Sequence, residues 1–190
     1  GSETYRYVVT ATSSETAEES LRGTAPVAGT AISAVTKADP GVVTTSGSHG
    51  LENGDDVYIS GVVGMTELNG QVFKVSNKGT TTFELTDSTG TNVDTTSYTT
   101  YSSGGSVFPM FIKITNGHAT ADNTISWTGV TGAESYTVYK EKNGLFGFIG
   151  RTENTDFDDK NIGAEVDDTP PRTRNPFVGT GNFPSTVGYH

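Results

Sequence analysis

The chain has 190 residues, room for one large domain or two small ones, and 12 basic against 22 acidic side chains give a formal charge of −10. At a pI near 4.6, such a surface repels phosphate, which excludes DNA or RNA as the expected partner. The absence of cysteine excludes a disulfide framework, a thiolate nucleophile and a thiolate zinc site.

Only 32% of the residues are apolar. With 32 threonines and 24 glycines, the composition is one of strands and turns, and the expected class is all-β with a shallow core. No apolar run approaches the ~20 residues that a spanning helix needs, so no membrane insertion is expected. Gly1-Ser2 reads as a cloning remnant ahead of an excised fragment.

In chain order, the first candidate element is Ser13 to Arg22. Thr16 and Glu19 have capping-box spacing there, but too few apolar residues follow to bury a helical stripe, and a charged hairpin loop is the preferred reading. Asn-Gly pairs at 53–54, 69–70, 116–117 and 143–144 mark reversals, because both residues tolerate the positive φ of a tight turn. Between them, Val57/Ile59, Phe73/Val75 and Phe83/Leu85 repeat at period two within Asp56 to Ser60, Gln71 to Val75 and Thr82 to Thr86. Each is a strand with one buried face. The pattern returns in Thr124 to Thr128, Tyr136 to Lys140 and Leu145 to Ile149, after a change of character near Gly104-Gly105 where a domain boundary is expected. The expected division is a strand pair at 3–29, a small barrel at 30–107, a sandwich at 108–169 and a proline- and glycine-rich linker or docking segment at 170–190.

Residues that could carry chemistry fall into several groups. Asp156, Asp158 and Asp159 are candidate calcium ligands, but they supply only the opening of a calcium loop, without the turn glycine and distal glutamate that complete it. Solvated turn carboxylates are the preferred reading, and no metal or cofactor is expected. His49, His118 and His190 lack a second histidine at ligand spacing. Ser46 and His49 are close in sequence, but there is no Gly-x-Ser-x-Gly elbow and no convergent triad is implied. The glycines at 179 and 181 are followed by no lysine and fit neither nucleotide fingerprint. Tyr98 and Tyr101 are candidates for stacking on sugar, against the plainer reading that they cover a sheet edge. Phe177, Phe183 and Tyr189 are candidates for packing on a neighbouring domain.

Three resemblances add to this reading. Thr44 to Leu51, Asn53-Gly54-Asp55-Asp56-Val57-Tyr58-Ile59, Gly64 to Gly70, Phe83-Glu84-Leu85 and Tyr101 to Gly105 lie within residues 31–107. That segment resembles the small β-barrel module named after the first catalytic-cysteine half-domain of ubiquitin-activating enzymes, which recurs in bacteriophage tail proteins. The resemblance implies a scaffold and no ubiquitin chemistry, since no cysteine is present to form a thioester. On this reading Val57 and Ile59 face inward and Leu68 plugs the barrel.

Ile125-Ser126-Trp127, Ala133 to Lys140, and Phe148 to Gly150 with Thr155 to Asp159 resemble successive strands of a fibronectin type III-like sandwich over residues 111–168. The last two strands of that pattern are missing after Asp159. Tyr5 to Ala11 and the segment after Glu18 resemble them, so residues 3–29 are expected to complete the sandwich, with the barrel inserted. Two incomplete neighbouring sandwiches are the competing arrangement.

Together with Thr169 to Phe177 and Asn182 to Ser185, these modules resemble an internal stretch of a tail-associated structural protein of a bacteriophage or prophage. The resemblance implies a non-enzymatic module acting in tail assembly or host attachment. Its partners would be the rest of the parent tail protein, neighbouring tail subunits and a host surface receptor. It would be located in the virion tail and pass through the host cytoplasm during assembly. The alternatives are a carbohydrate- or protein-binding module of a secreted bacterial adhesin, and a glycan-degrading tail component working through paired carboxylates.

Overall fold

A computed structural model describes residues 3–20, 29–116, 122–171 and 188–189. The elements are β1 Glu3–Ser13, β2 Thr30–Val35, β3 Val42–Thr45, β4 Asp56–Val63, a 3-10 turn Thr66–Leu68, β5 Gln71–Ser76, β6 Thr82–Thr86, β7 Ser103–Pro109, β8 Ile112–Asn116, β9 Asn123–Thr128, β10 Ala133–Lys142, β11 Leu145–Thr152, β12 Asp156–Asp159 and β13 Gly188–Tyr189. The protein is all-β, and the chain divides into two compact units, residues 28–110 and residues 1–27 with 111–190.

The first unit is a closed barrel in the order β2-β3-β6-β5-β4-β7. Closure follows from period-two patterning: Val57 and Ile59 on β4, Phe73 and Val75 on β5 and Phe83 and Leu85 on β6 are all buried, and their alternate neighbours face outward. Leu68, fully buried on the 3-10 turn, fills the interior beside Met65. Gly70 turns the chain at φ +78°. β7 carries the barrel through Gly104-Gly105 to Pro109, beyond the boundary expected at that glycine pair. The pair sits inside a strand because β4 and β7 approach closely there: a Cβ on Gly105 would lie 2.5 Å from Cγ2 of Val62.

The second unit contains a four-stranded sheet, β11-β10-β1-β8, and a three-stranded sheet, β12-β9-β13. β1 is central: Val9 pairs with Val138 of β10, and Tyr5 with Ile114 of β8. Residues 3–13 therefore pair with strands more than a hundred positions later in the chain. Tyr7, Val9, Ala11, Tyr136, Val138 and Ile149 of the larger sheet share one apolar core with Ile125 and Trp127 of the smaller. The indole of Trp127 meets the Tyr136 ring edge-on at 5.3 Å. Residues 14–20 form a hairpin loop closed by a Thr12–Glu19 bridge rather than a helix.

Candidate functional site

In the two-sheet unit, period two places a charge at the end of an otherwise apolar stripe on two strands. Tyr136, Val138 and Lys140 share the inner face of β10, and Phe157 shares a face of β12 with Asp159. The two charges meet. Lys140 Nζ lies 2.7 Å from Oδ2 of Asp159, whose side chain is fully buried. The Tyr7 hydroxyl donates to the same oxygen at 2.7 Å, and the Ile162 backbone N–H donates to Oδ1 at 2.7 Å. Asn123 Nδ2 donates to the Tyr7 oxygen at 2.8 Å, and Asn116 Nδ2 donates to Oδ1 of Asn123 at 2.5 Å. Lys140 donates further to the Ile162 carbonyl at 3.2 Å and sits 5.0 Å from the centre of the Tyr5 ring. Burial, then the Asp159 carboxylate, pushes the Tyr7 hydroxyl well above the ordinary tyrosine range.

This constellation ties β8, β9, β1, β12 and β10 together across both sheets. Asp159 receives donors on both oxygens and its charge is met by Lys140, so its chemistry is that of a clamp rather than of a general base. A groove of about 350 Å³ opens beside it between Glu3, Tyr5, Lys142 and Ile162.

A second, half-buried acceptor lies beside β1. Glu19 Oε1 accepts from the hydroxyls of Thr10 and, at 2.7 Å, Tyr139. Burial, then Glu19, raises the Tyr139 hydroxyl above its usual range. Ser20, fully buried, accepts the Ala11 N–H at 2.9 Å. Together these pin the 14–20 loop to the sheet.

The barrel carries three carboxylate locks on its exposed surface and a buried threonine lock. Asp87 accepts from the backbone and hydroxyl of Thr89 and the backbone of Thr91. Asp94 does the same for Thr96, and Glu67 for Thr99. All three carboxyls are held below their ordinary range, Asp87 and Asp94 first by the Thr89 and Thr96 hydroxyls, Glu67 first by the Thr99 backbone N–H. Thr95, fully buried, ties residues 36–38 to this long loop through the carbonyls of Thr36 and Ala38.

The residues singled out in the sequence are dispersed. Asp159 is the buried clamp, Asp158 accepts the Thr124 hydroxyl at 2.7 Å on the exposed face, and Asp156 is exposed. Residues two apart share a face, so Asp159 points away from Asp156 and Asp158 and the three do not converge; no group of three metal-binding side chains occurs among the described residues. The Tyr101 hydroxyl is shared between the carbonyls of Ile32 and Gly104, each at 3.0 Å, so it fastens the β2 and β7 edges. Tyr98 is half-buried. His49 rests edge-on against Phe83, its ring nitrogens engaged with the Thr82 carbonyl and the Leu51 N–H. Ser46 donates its backbone N–H to the Ala31 carbonyl. Phe177, Phe183, His118 and the glycines at 179 and 181 lie outside the described residues, and of Tyr189 only the backbone is described, paired with Trp127. Sequence reasoning missed Tyr7, Glu19, Asn123 and Lys140. The signal that could have found Lys140 was a lone charge continuing an inward-facing period-two stripe, as Asp159 does on β12.

Comparison with known proteins speaks to the barrel. Residues 38–109 match the family described as the ubiquitin-activating enzyme E1 FCCH domain. The chain is 43% identical over 81 residues to ubiquitin-like modifier-activating enzyme 1 of Oryctolagus cuniculus, a match covering 41% of this chain and 7% of that protein. The enzyme of the same name from Homo sapiens is 42% identical over 79 residues, 40% of this chain and 7% of its own length. The chain thus corresponds to a small fraction of the curated relatives it matches. The likeness is confined to an FCCH-like barrel.

Proposed function

We propose that this chain is a non-enzymatic structural and interaction module of a bacteriophage or prophage tail protein, acting in tail assembly or host attachment. The observation that carries the reading is topological. The chain leaves the sheet after β1, builds a complete barrel and returns to the same sheet at β8, the strand beside β1. An FCCH-like barrel carried within another β unit, in a chain without cysteine, supports the borrowing of a scaffold rather than of thioester chemistry.

The second unit is fibronectin type III-like on this reading. β1 lies beside β10 and β8 beside β1, an order like that of the last two strands of such a sandwich next to its third, with β8 rather than the segment after Glu18 in the outer place. That order supports a permuted sandwich interrupted by the barrel. The partners are the remainder of the parent tail protein, neighbouring tail subunits and a host surface receptor. Among the described residues the buried carboxylates are Asp55 and Asp159, one in each unit. This disfavours a glycan-cleaving pair, which needs two carboxyls across one cleft.

The test is gold labelling of purified particles from the source organism, or from its induced prophage, with an antibody raised against the chain. Discrete label on tails is the expected result. Label on the bacterial envelope with clean particles would overturn the reading in favour of a secreted adhesin.

A further inference from the structure

We infer that Asn143 is a site of spontaneous covalent modification, and that among the three fully described Asn-Gly turns the fold selects it and shields the other two. An asparagine followed by glycine can cyclise because glycine has no Cβ to screen its backbone nitrogen. The Gly nitrogen attacks Cγ of the Asn side chain, forming an N–Cγ bond. The Cγ–Nδ2 bond breaks and ammonia departs, taking up the proton lost by the peptide nitrogen. Water then opens the succinimide at either carbonyl to leave aspartate or isoaspartate. The overall change consumes one water, releases one ammonia and adds one negative charge. The reaction needs both a nitrogen and a side-chain amide that are free to approach each other.

At Asn53-Gly54 neither is free: Oδ1 of Asn53 accepts the Lys78 N–H at 2.9 Å, and the Gly54 N–H donates to the Val75 carbonyl at 2.8 Å. At Asn69-Gly70 the lock is tighter. The Asn69 amide accepts from the Val62 N–H and donates to the Val62 carbonyl, both at 2.9 Å, while the Gly70 N–H donates to the Ile59 carbonyl at 2.9 Å. Asn143 and Gly144 instead form the exposed two-residue turn between β10 and β11, with φ of +54° and +82°. Both central residues at positive φ make this a type I′ turn, in which the hydrogen bond joins the flanking residues and leaves the second central N–H free. Lys142 and Leu145 are the paired flanking residues. Among the described residues, the Asn143 side chain and the Gly144 N–H have no hydrogen-bond partner.

Isoaspartate at position 143 would lengthen the backbone of a turn whose register depends on two residues, loosening the β10–β11 hairpin. The test is incubation of the full folded chain at mildly alkaline pH, followed by peptide mapping with mass spectrometry and enzymatic isoaspartate labelling. Conversion at position 143 is expected about a hundredfold ahead of position 53 and further still ahead of position 69, roughly one tenfold step for each of the two or three hydrogen bonds that must first open. In denaturant the three should convert within a few-fold of one another, because the order is set by the fold. Asn143→Gly keeps a turn-compatible residue and removes the reactive amide, so it should abolish the early signal. Conversion at position 53 or 69 as fast as at 143 in the folded chain, or an early signal that persists in Asn143→Gly, would overturn the inference.

Discussion

The barrel and the two-sheet unit differ in how far a buried ion pair helps to close them. In the barrel the interior is filled by Val57, Ile59, Phe73, Phe83, Leu85 and their neighbours, and the carboxylates of Glu67, Asp87 and Asp94 work in exposed loops. In the two-sheet unit the carboxylate of Asp159 is inside, tied to Lys140 and Tyr7. The difference follows from closure. A barrel joins every strand to the next by backbone hydrogen bonds, so side chains such as Tyr101 only reinforce a closure the backbone already makes. Two open sheets have no backbone bond between them, and here a salt bridge and a hydroxyl supplement apolar contact across the gap.

The comparison breaks most visibly at Asp159. Asp159→Ala strands the Lys140 ammonium in the interior and should cost about 3–5 kcal/mol. Trp127 is the single tryptophan and lies in this core, so its fluorescence reads the loss directly, while amide exchange of Val57 and Ile59 should report an unchanged barrel. Replacing both partners, Asp159→Leu with Lys140→Met, should recover much of that stability, because no buried charge is then left alone. An effect of Asp159→Ala under 1 kcal/mol would mean that the clamp is solvated and that the contrast fails.

Phe83→Ala is the mirror experiment. Removing a fully buried ring from the barrel should cost about 3–5 kcal/mol, seen in exchange at Val57 and Ile59 with Trp127 fluorescence unaffected. Tyr101→Phe is expected to cost about 1 kcal/mol of barrel stability, through the lost hydroxyl bonds to Ile32 and Gly104. If Tyr101→Phe leaves stability alone, and Tyr101→Ala weakens retention on a glycan array while Tyr101→Phe does not, the stacking reading of Tyr101 regains its place.

The finest separation is by pH. Tyr7 and Tyr139 have raised folded values, so their contribution is complete below the ordinary tyrosine pKa of about 10 and is lost as pH rises through the folded values. Glu67, Asp87 and Asp94 are depressed. Their contribution is present above the ordinary carboxylate pKa of about 4 and is lost as pH falls through the folded values. Trp127 fluorescence should therefore mark an alkaline weakening of the two-sheet unit, and amide exchange an acid weakening of the barrel. On the alkaline side the contrast is one of degree, since burial raises Tyr58 of the barrel as well.

Strands were the legible part of this sequence. Period-two stripes such as Phe73/Val75 and Tyr136/Val138 encode their own burial, and the Asn-Gly pairs at 53–54, 69–70 and 143–144 encode reversals at positive φ. The polar centre was hidden because its members lie far apart in the chain: Tyr7, Asn123, Lys140 and Asp159 have little in common until two sheets bring them within 3 Å of one another. Glu19 was hidden for a different reason. A glutamate in a loop rich in acids reads as solvated, and only the hydroxyls of Thr10 and Tyr139 make it a half-buried acceptor. The change of character at Gly104-Gly105 lies inside a strand, because the two glycines at positive φ permit the close pairing of β7 with β4.

The pairing of the first and last barrel strands, Thr30 with Val107 and Ala31 with Ser106, brings the two ends of that unit to within a strand spacing of about 5 Å. A module whose entrance and exit coincide can be spliced into any hairpin without forcing the host strands apart. Such a geometry suits a cassette, whose presence in one host says little about the trade of the next.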